Sequence, residues 1–213
     1  MNEHTDQAVV IEKRKMRKMT LTLLTALAIL IVFQSFISMS TGNIEKQPYR
    51  VIKREKSFEI RFYPAATFAT IKSNANTYRE LSGSGFRRIA GYIFGDNASA
   101  TKIAMTSPVH MDISENGSSM SFVMPSKYNT KNLPKPNDVS VEIHESKPEY
   151  AAAIEFGGYV NDATLKKYTE QLQHKLNELN ITPIGHYRYL GYNPPYQLIN
   201  RRNEVIVEID WKE

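Results

Sequence analysis

Lys102-Ile103-Ala104-Met105-Thr106-Ser107-Pro108-Val109-His110-Met111 places Ile103, Met105, Val109 and Met111 at alternate positions. That period predicts a strand with one buried face, and Pro108 predicts an edge or a bend in it. Two methionines on one face make a soft, adaptable apolar surface. The face therefore reads either as core or as the wall of a ligand site.

Outward from this stretch, the pattern β-α-β-β occurs twice. In the first pass, a strand over Ala66–Ile71 leads to a helix opened by Thr77 and Glu80, a capping-box spacing. That helix carries Leu81, Phe86, Ile89, Ala90, Ile93 and Phe94 on one side, with Arg87 and Arg88 on the other, and Gly95 stops it. The opening strand follows, then a Glu115-Asn116-Gly117 turn and a strand over Met120–Met124. In the second pass, Tyr150–Tyr159 is a strand, and Asp162 caps a helix with Leu165, Tyr168, Leu172, Leu176 and Leu179 on its apolar side. His186–Leu190 then runs into Gly191-Tyr192-Asn193-Pro194-Pro195, and Glu204–Ile209 alternates to the end. Upstream, Tyr49–Lys53 and Phe58–Tyr63 read as strands, and Val139–His144 reads as another between the passes. The expectation is an α+β fold built from a duplicated unit with pseudo-two-fold symmetry and a groove between its halves.

The N-terminal region has a different composition. Leu21–Ile37 is nearly all apolar and follows the basic cluster Lys13, Arg14, Lys15, Arg17 and Lys18. Residues 1–19 are expected to be a basic cytoplasmic tail and residues 20–40 a transmembrane helix, with the domain beyond the membrane by the positive-inside bias. Ser38-Met39-Ser40 would also serve as a signal cleavage site, giving a secreted protein; the long polar lead favours a retained anchor. The formal charge is +5, but five of the 27 basic and three of the 22 acidic residues lie in the first 18, so the remainder carries only +3. Those charges are interspersed with no basic stripe, which argues against nucleic acid as a partner.

The chemistry-bearing residues are few in kind. Without a cysteine, thiolate catalysis, disulfides and covalent heme attachment through cysteine are excluded. No nucleophile elbow, His-Glu-x-x-His or phosphate loop occurs. His110, His144, His174 and His186 share no metal-ligand spacing and read as surface or internally satisfied side chains. Glu142 and Glu145, and Glu204 and Glu208, read as solvated faces of edge strands. Tyr187 and Tyr189 share one strand face, as packing requires, while Tyr192 sits in a turn suited to a groove mouth.

Five blocks, in order, resemble the SOUL heme-binding protein family: Glu59-Ile60-Arg61-Phe62-Tyr63; Lys102–Val109; Phe122-Val123-Met124-Pro125 with Leu133-Pro134-Lys135-Pro136; Phe156-Gly157-Gly158-Tyr159; and Gly191–Pro195 with Arg201–Val205. The resemblance covers roughly residues 47–211 and makes 44–213 a SOUL-like domain. It implies a distorted antiparallel β-barrel flanked by two helices, and reversible, non-catalytic binding of heme or another tetrapyrrole. It places Phe86 and Ala90, Met105 and Tyr192 in the binding patch, with Arg87, Arg88 or Lys102 at the propionates. Phe62 stands where some members carry a proposed axial histidine, and Gln197 where some carry a base. The reading is a membrane-anchored, extracytoplasmic binding protein, periplasmic if bacterial, whose partners are the membrane and an amphipathic small molecule. A small-molecule hydrolase using a groove carboxylate, an effector-binding module on a related fold and a peptide-binding module are the alternatives.

Overall fold

The computed structural model describes residues 3–42, 44–114 and 117–212. They fall into two compact units, Met1–Asn43 and Ile44–Glu213. The first is one helix, α1 (Glu3–Gly42). Within it Glu12–Ile37 is long and apolar enough to cross a membrane, about 39 Å at 1.5 Å per residue, a property shared by anchors and signal sequences. The hydroxyls within Glu12–Ile37 need no outside partner. Thr20, Thr22, Thr25 and Ser35 each donate to the carbonyl four residues back, at 2.9 Å.

The second unit contains β1 (Glu45–Lys46), β2 (Arg50–Arg54), β3 (Glu59–Tyr63), β4 (Thr67–Ser73), α2 (Tyr78–Ile93), β5 (Thr106–Ser107), β6 (Val109–Asp112) and β7 (Ser118–Val123). After these come β8 (Val141–Glu145), β9 (Glu149–Phe156), α3 (Asp162–Glu178), β10 (Pro183–Gly191) and β11 (Asn203–Ile209). Nine strands form one sheet in the order β2-β3-β9-β11-β10-β6-β7-β4-β8, and β1 and β5 make a small parallel pair. On either side of the β6–β10 pair the order is alike: β6-β7-β4 one way, β10-β11-β9 the other.

The expected barrel is not closed. β2 and β8 each pair on one side only, and their outer positions carry Arg50, Lys53 and Arg54, or Glu142, His144 and Glu145, all exposed. Charged, solvated edges of this kind resist further pairing. The helices lie on one face. There Val205, Val207 and Ile209 of β11 join Ala152, Ile154 and Phe156 of β9 and Met120 and Phe122 of β7 in the main core, which Leu81, Ile89, Ile93, Leu172 and Leu176 of the helices complete.

Local chemistry explains the helix positions. Thr77 caps α2 by accepting from the Glu80 amide at 3.3 Å, as the spacing predicts, while the Glu80 carboxylate reaches the Asn76 amide instead of Thr77. Gly85 lets α2 sit close to the sheet: a Cβ there would lie 3.2 Å from Ile71 Cδ1 and 3.4 Å from Met120 Cβ. Gly95, at φ +117°, turns the chain out after the helix. For α3 the cap is Asn161, not Asp162; Asp162 Oδ1 instead accepts from the Tyr78 amide at the start of α2, at 2.7 Å.

Two strand expectations also change. Lys102–Met111 is not one strand: Lys102–Met105 runs without strand pairing, Thr106–Ser107 pairs with β1, and β6 begins only after a cis Ser107–Pro108 bond. Ile103 and Met111 are buried as the alternation required, but the backbone of residues 102–105 has no neighbouring strand to join. Val139 lies ahead of β8 and is fully exposed. The expected turn at Glu115-Asn116-Gly117 falls mostly outside the described residues.

Leu172 of α3 has no exposed surface. Leu172→Ala is expected to lower unfolding stability by about 2–5 kcal/mol, measured by urea denaturation, because a lost side chain leaves a cavity that the sheet cannot close.

Candidate functional site

The outer side of α2 carries an apolar stripe. Phe86, Ala90 and Phe94 recur every fourth residue, which aligns them along one side of the helix. Phe86 is 37% exposed, with its ring 5.3 Å from that of Phe122, and Phe94, the C-cap, is 58% exposed; Ala90 between them is buried. Phe94 was expected to share the core-facing side, but its place at the last turn, just before Gly95, carries it out into solvent. That position was the available signal.

The two arginines of this helix are not equivalent. Arg88 gives Nε to Asp138 Oδ2 at 3.0 Å and NH2 to Asp138 Oδ1 at 3.3 Å, and also bonds Ser140. Those contacts hold the Asp138 carboxyl well below the usual carboxylate range, through Arg88 first and Ser140 second. Arg87 is exposed and has no ion-pair or hydrogen-bond partner among the described residues. Lys102 is likewise exposed.

Met105 lies beside α2. The segment is fixed by Ile103 N donating to Ile93 O at 2.8 Å, and by the Thr106 hydroxyl donating to the Val123 carbonyl. Met105 is partly buried against the helix-side core. Phe86 and the Met105–Thr106 segment thus both meet the Phe122–Val123 end of β7.

Tyr192 is held elsewhere. It packs with Ala153, Leu190 and Ile206, side chains on the sheet face away from the helices. Its hydroxyl donates to Glu204 Oε2 at 2.9 Å. Glu204 itself has 0% exposure and Arg61 2%, so the expectation of a solvated edge glutamate is corrected: β11 lies inside the sheet between β9 and β10. Glu204 Oε2 also accepts from Arg61 NH1 at 2.8 Å, and Oε1 accepts from Arg202 Nε at 3.1 Å and NH2 at 2.6 Å. Arg61 further donates to Glu59 at 2.8 Å and Tyr63 at 3.1 Å, and Arg202 to Tyr49 at 3.0 Å. The guanidinium of Arg61 lies 4.2 Å from the Tyr49 ring centroid and that of Arg202 4.3 Å from the Tyr192 centroid. Burial opposes the charge on Arg61, but the Glu204 carboxylate overcomes it and raises the pKa; burial and the same carboxylate push Tyr192 up.

The four histidines of the second unit stand apart from one another. His110 is buried, with Nε2 2.7 Å from Gln47 Oε1 and its ring edge on Phe68, and burial together with Arg188 pushes its pKa from 6.5 down to about 3. His144, His174 and His186 are exposed. Among the described residues no group of three histidines or carboxylates could hold a metal ion.

The structure therefore brings Phe86, Arg87 and Ala90 onto one helix with Met105 beside it, and sets Tyr192 on the other face of the sheet. Residues 44–208 match the family described as SOUL heme-binding protein. Heme-binding protein 1 of Mus musculus is 30% identical over 176 residues, spanning 77% of this chain and 92% of its own length. Heme-binding protein 2 of Homo sapiens is 28% identical over 160 residues, spanning 70% and 76%. Among solved structures, the C-terminal domain of EcmrR superposes with a TM-score of 0.55 at 9% identity, over 77% of this chain and 99% of that one. A hydrolase from Listeria innocua gives 0.51 at 7% identity, over 75% and 94%. At these identities the structural likeness concerns fold alone.

Two measurements probe the helix-free face. Glu204→Gln removes the buried counter-charge of Arg61, which keeps only Glu59 at the strand edge, while the part-exposed Arg202 keeps Glu155 at 3.1 Å; the loss at Arg61 is expected to cost about 3 kcal/mol in urea unfolding. Because the folded pKa of His110 is depressed, the unfolded chain takes up a proton below about 6.5 that the folded chain refuses until about 3. Its stabilising contribution is thus complete above pH 6.5 and falls as pH drops through that window, by up to about 1.4 kcal/mol per pH unit. His110→Gln is expected to flatten that part of the stability–pH curve.

Proposed function

The chain belongs to the SOUL heme-binding protein family, and on that premise we propose that its folded unit reversibly binds heme or a similar tetrapyrrole without catalysing a reaction. The observation that carries this reading is the exposed Phe86–Phe94 stripe over Ala90, bordered by the unpaired cation Arg87. A flat apolar macrocycle suits the stripe, and a carboxylate suits Arg87 and Lys102. The common strand order around the β6–β10 pair supports a duplicated β-α-β-β unit as the frame that holds α2 in place.

The donor set favours holding the macrocycle by its face. No histidine lies on α2 or in residues 102–109, and Phe62 occupies the position of the family's proposed ligand. Met105 is the side chain of this patch whose type ligates heme iron. Tyr192, with its hydroxyl committed to Glu204, is proposed to act by fixing the Gly191–Pro195 turn. The buried carboxylate Glu204 is likewise fully engaged by two guanidiniums, which leaves it unsuited to the acid–base role that a hydrolase would need.

We also read α1 as a retained anchor, with its basic end in the cytoplasm and the family domain across the membrane, in support of which stand the polybasic lead and the apolar length.

Hemin titrated into the full-length protein in nanodiscs is expected to give a saturable Soret shift. Covering the exposed third of Phe86 is worth about 0.5–1 kcal/mol, and Phe86→Asp adds the larger cost of trapping a carboxylate beneath an apolar ligand, about 2 kcal/mol or more, against at most about 1 kcal/mol for an exposed ion pair. Phe86→Asp should therefore weaken binding by about 30-fold or more and Arg87→Gln by about fivefold; no Soret shift, or equal affinity in all three proteins, would exclude this site. Since the chain lacks cysteine, Lys15→Cys and Lys127→Cys each supply a unique thiol: an impermeant maleimide on intact cells should label the second and spare the first.

A further inference from the structure

We propose that the loops over residues 157–160 and 192–202 dock the folded unit onto the lipid interface of a bilayer, an inference that rests on the reading of α1 as a retained anchor. Tyr159, Tyr196, Leu198 and Ile199 are 56%, 62%, 48% and 51% exposed, four of the nine large apolar side chains exposed in the described part of the second unit. Two short loops therefore hold nearly half of its outward apolar groups. Such a concentration marks a contact surface.

The loops are held from within. Gln197 is buried and donates through Nε2 to the Ile199 and Asn200 carbonyls at 2.9 and 3.2 Å, and Arg201 NH1 donates to the Pro194 and Gln197 carbonyls, each at 2.8 Å. Asn203 Nδ2 donates to the Gly158 carbonyl at 2.9 Å, and the Arg201 guanidinium lies 4.6 Å from the Tyr159 ring centroid. Polar groups turn inward and apolar side chains outward, the reverse of a water-facing loop.

The occupant follows from the covalent connection. Val109, Gly191, Asn203 and Phe156 stand in one row across β6, β10, β11 and β9. The longer loop joins Gly191 to Asn203, the shorter leaves from Phe156, and the chain enters through β1, paired with β5 just ahead of Val109. Three strand spacings, about 14 Å, separate the two ends of that row. The apolar run ends at Ile37, and α1 continues to Gly42 before β1 begins at Glu45, so five helical residues and three extended steps reach at most about 18 Å. Held that near, the loops meet the bilayer surface at high effective concentration. Neither loop contains an acidic residue, and Arg201 has no carboxylate partner among the described residues, which suits lipid phosphates. Tyrosines suit a boundary that is wet on one side.

Because the chain has no cysteine, Ile199→Cys, Tyr159→Cys, Ile184→Cys and Leu27→Cys each place a single nitrobenzoxadiazole label on full-length protein in nanodiscs. Ile184 is the control, an exposed apolar residue at the other end of β10 from Gly191. Labels at 199 and 159 are expected to emit further to the blue than the label at 184, to resist aqueous iodide, and to be quenched by lipid spin-labelled near the headgroup, as groups seated about 5–10 Å into the interface are. Ile199→Asp should return the 159 label to iodide, with hemin titration and melting temperature matching the parent protein. Equal iodide quenching at 199, 159 and 184, shielding from iodide without quenching by lipid, or weakened hemin binding in Ile199→Asp would each overturn the docking. In those cases a Leu27 label quenched by lipid spin-labelled deep in the acyl chain leaves the anchor reading standing; a Leu27 label open to iodide removes the anchor and the docking together.

Discussion

A carboxylate sealed from water needs cations and donors around it, and Glu204 is such a group. Moving an ion from water into a protein interior costs several kcal/mol even after relaxation, so Arg61 and Arg202 must both be in place with their remaining donors satisfied. That requirement couples distant segments: Arg61 comes from β3, Arg202 from the entry to β11, Tyr49 from the approach to β2 and Tyr192 from the turn after β10. The interaction gives this face of the sheet a single register. Arg61 and Glu204 alternate correctly only if β3, β9 and β11 are aligned as observed, since a slip of one residue would send both charges into the apolar, helix-side core.

On the opposite face the constraint is steric. Gly85 lets α2 approach Ile71 and Met120, and that approach turns Leu81, Ile89 and Ile93 inward while leaving Phe86 and Phe94 half out. Asp138 then neutralises Arg88 and leaves Arg87 available. The surface of α2 is thus apolar and cationic because of what its inner surface must pack against. The binding reading rests on that asymmetry and on the family to which the chain belongs.

Much of this was legible locally. The Thr77 cap, the Glu59–Tyr63 strand, the second helix and the apolar N-terminal run are all set by neighbours within a few residues, and period and capping reveal them. The Lys102–Met111 stretch misled because alternation reports burial, which it got right at Ile103 and Met111, while strand pairing needs a partner that residues 102–105 lack. Glu204 misled for the complementary reason. Glu-Val-Ile-Val-Glu-Ile reads as a half-solvated strand, and only an arginine 143 positions away makes one of its glutamates a core residue. Phe94, read with the helix's inner side, needed the position of the last turn rather than periodicity.

The strand order also governs how the domain would come apart. β3, from the first part of the chain, bonds to β9 in the second, while β8, from the second, bonds to β4 in the first. Each part has lent the other its flanking strand. A cut in the connection over residues 127–138 would therefore leave two interlocked fragments instead of two free ones, joined by both exchanged strands as well as by the β6–β10 seam. The domain is in this sense a splice: its continuity resides in the sheet more than in the covalent chain.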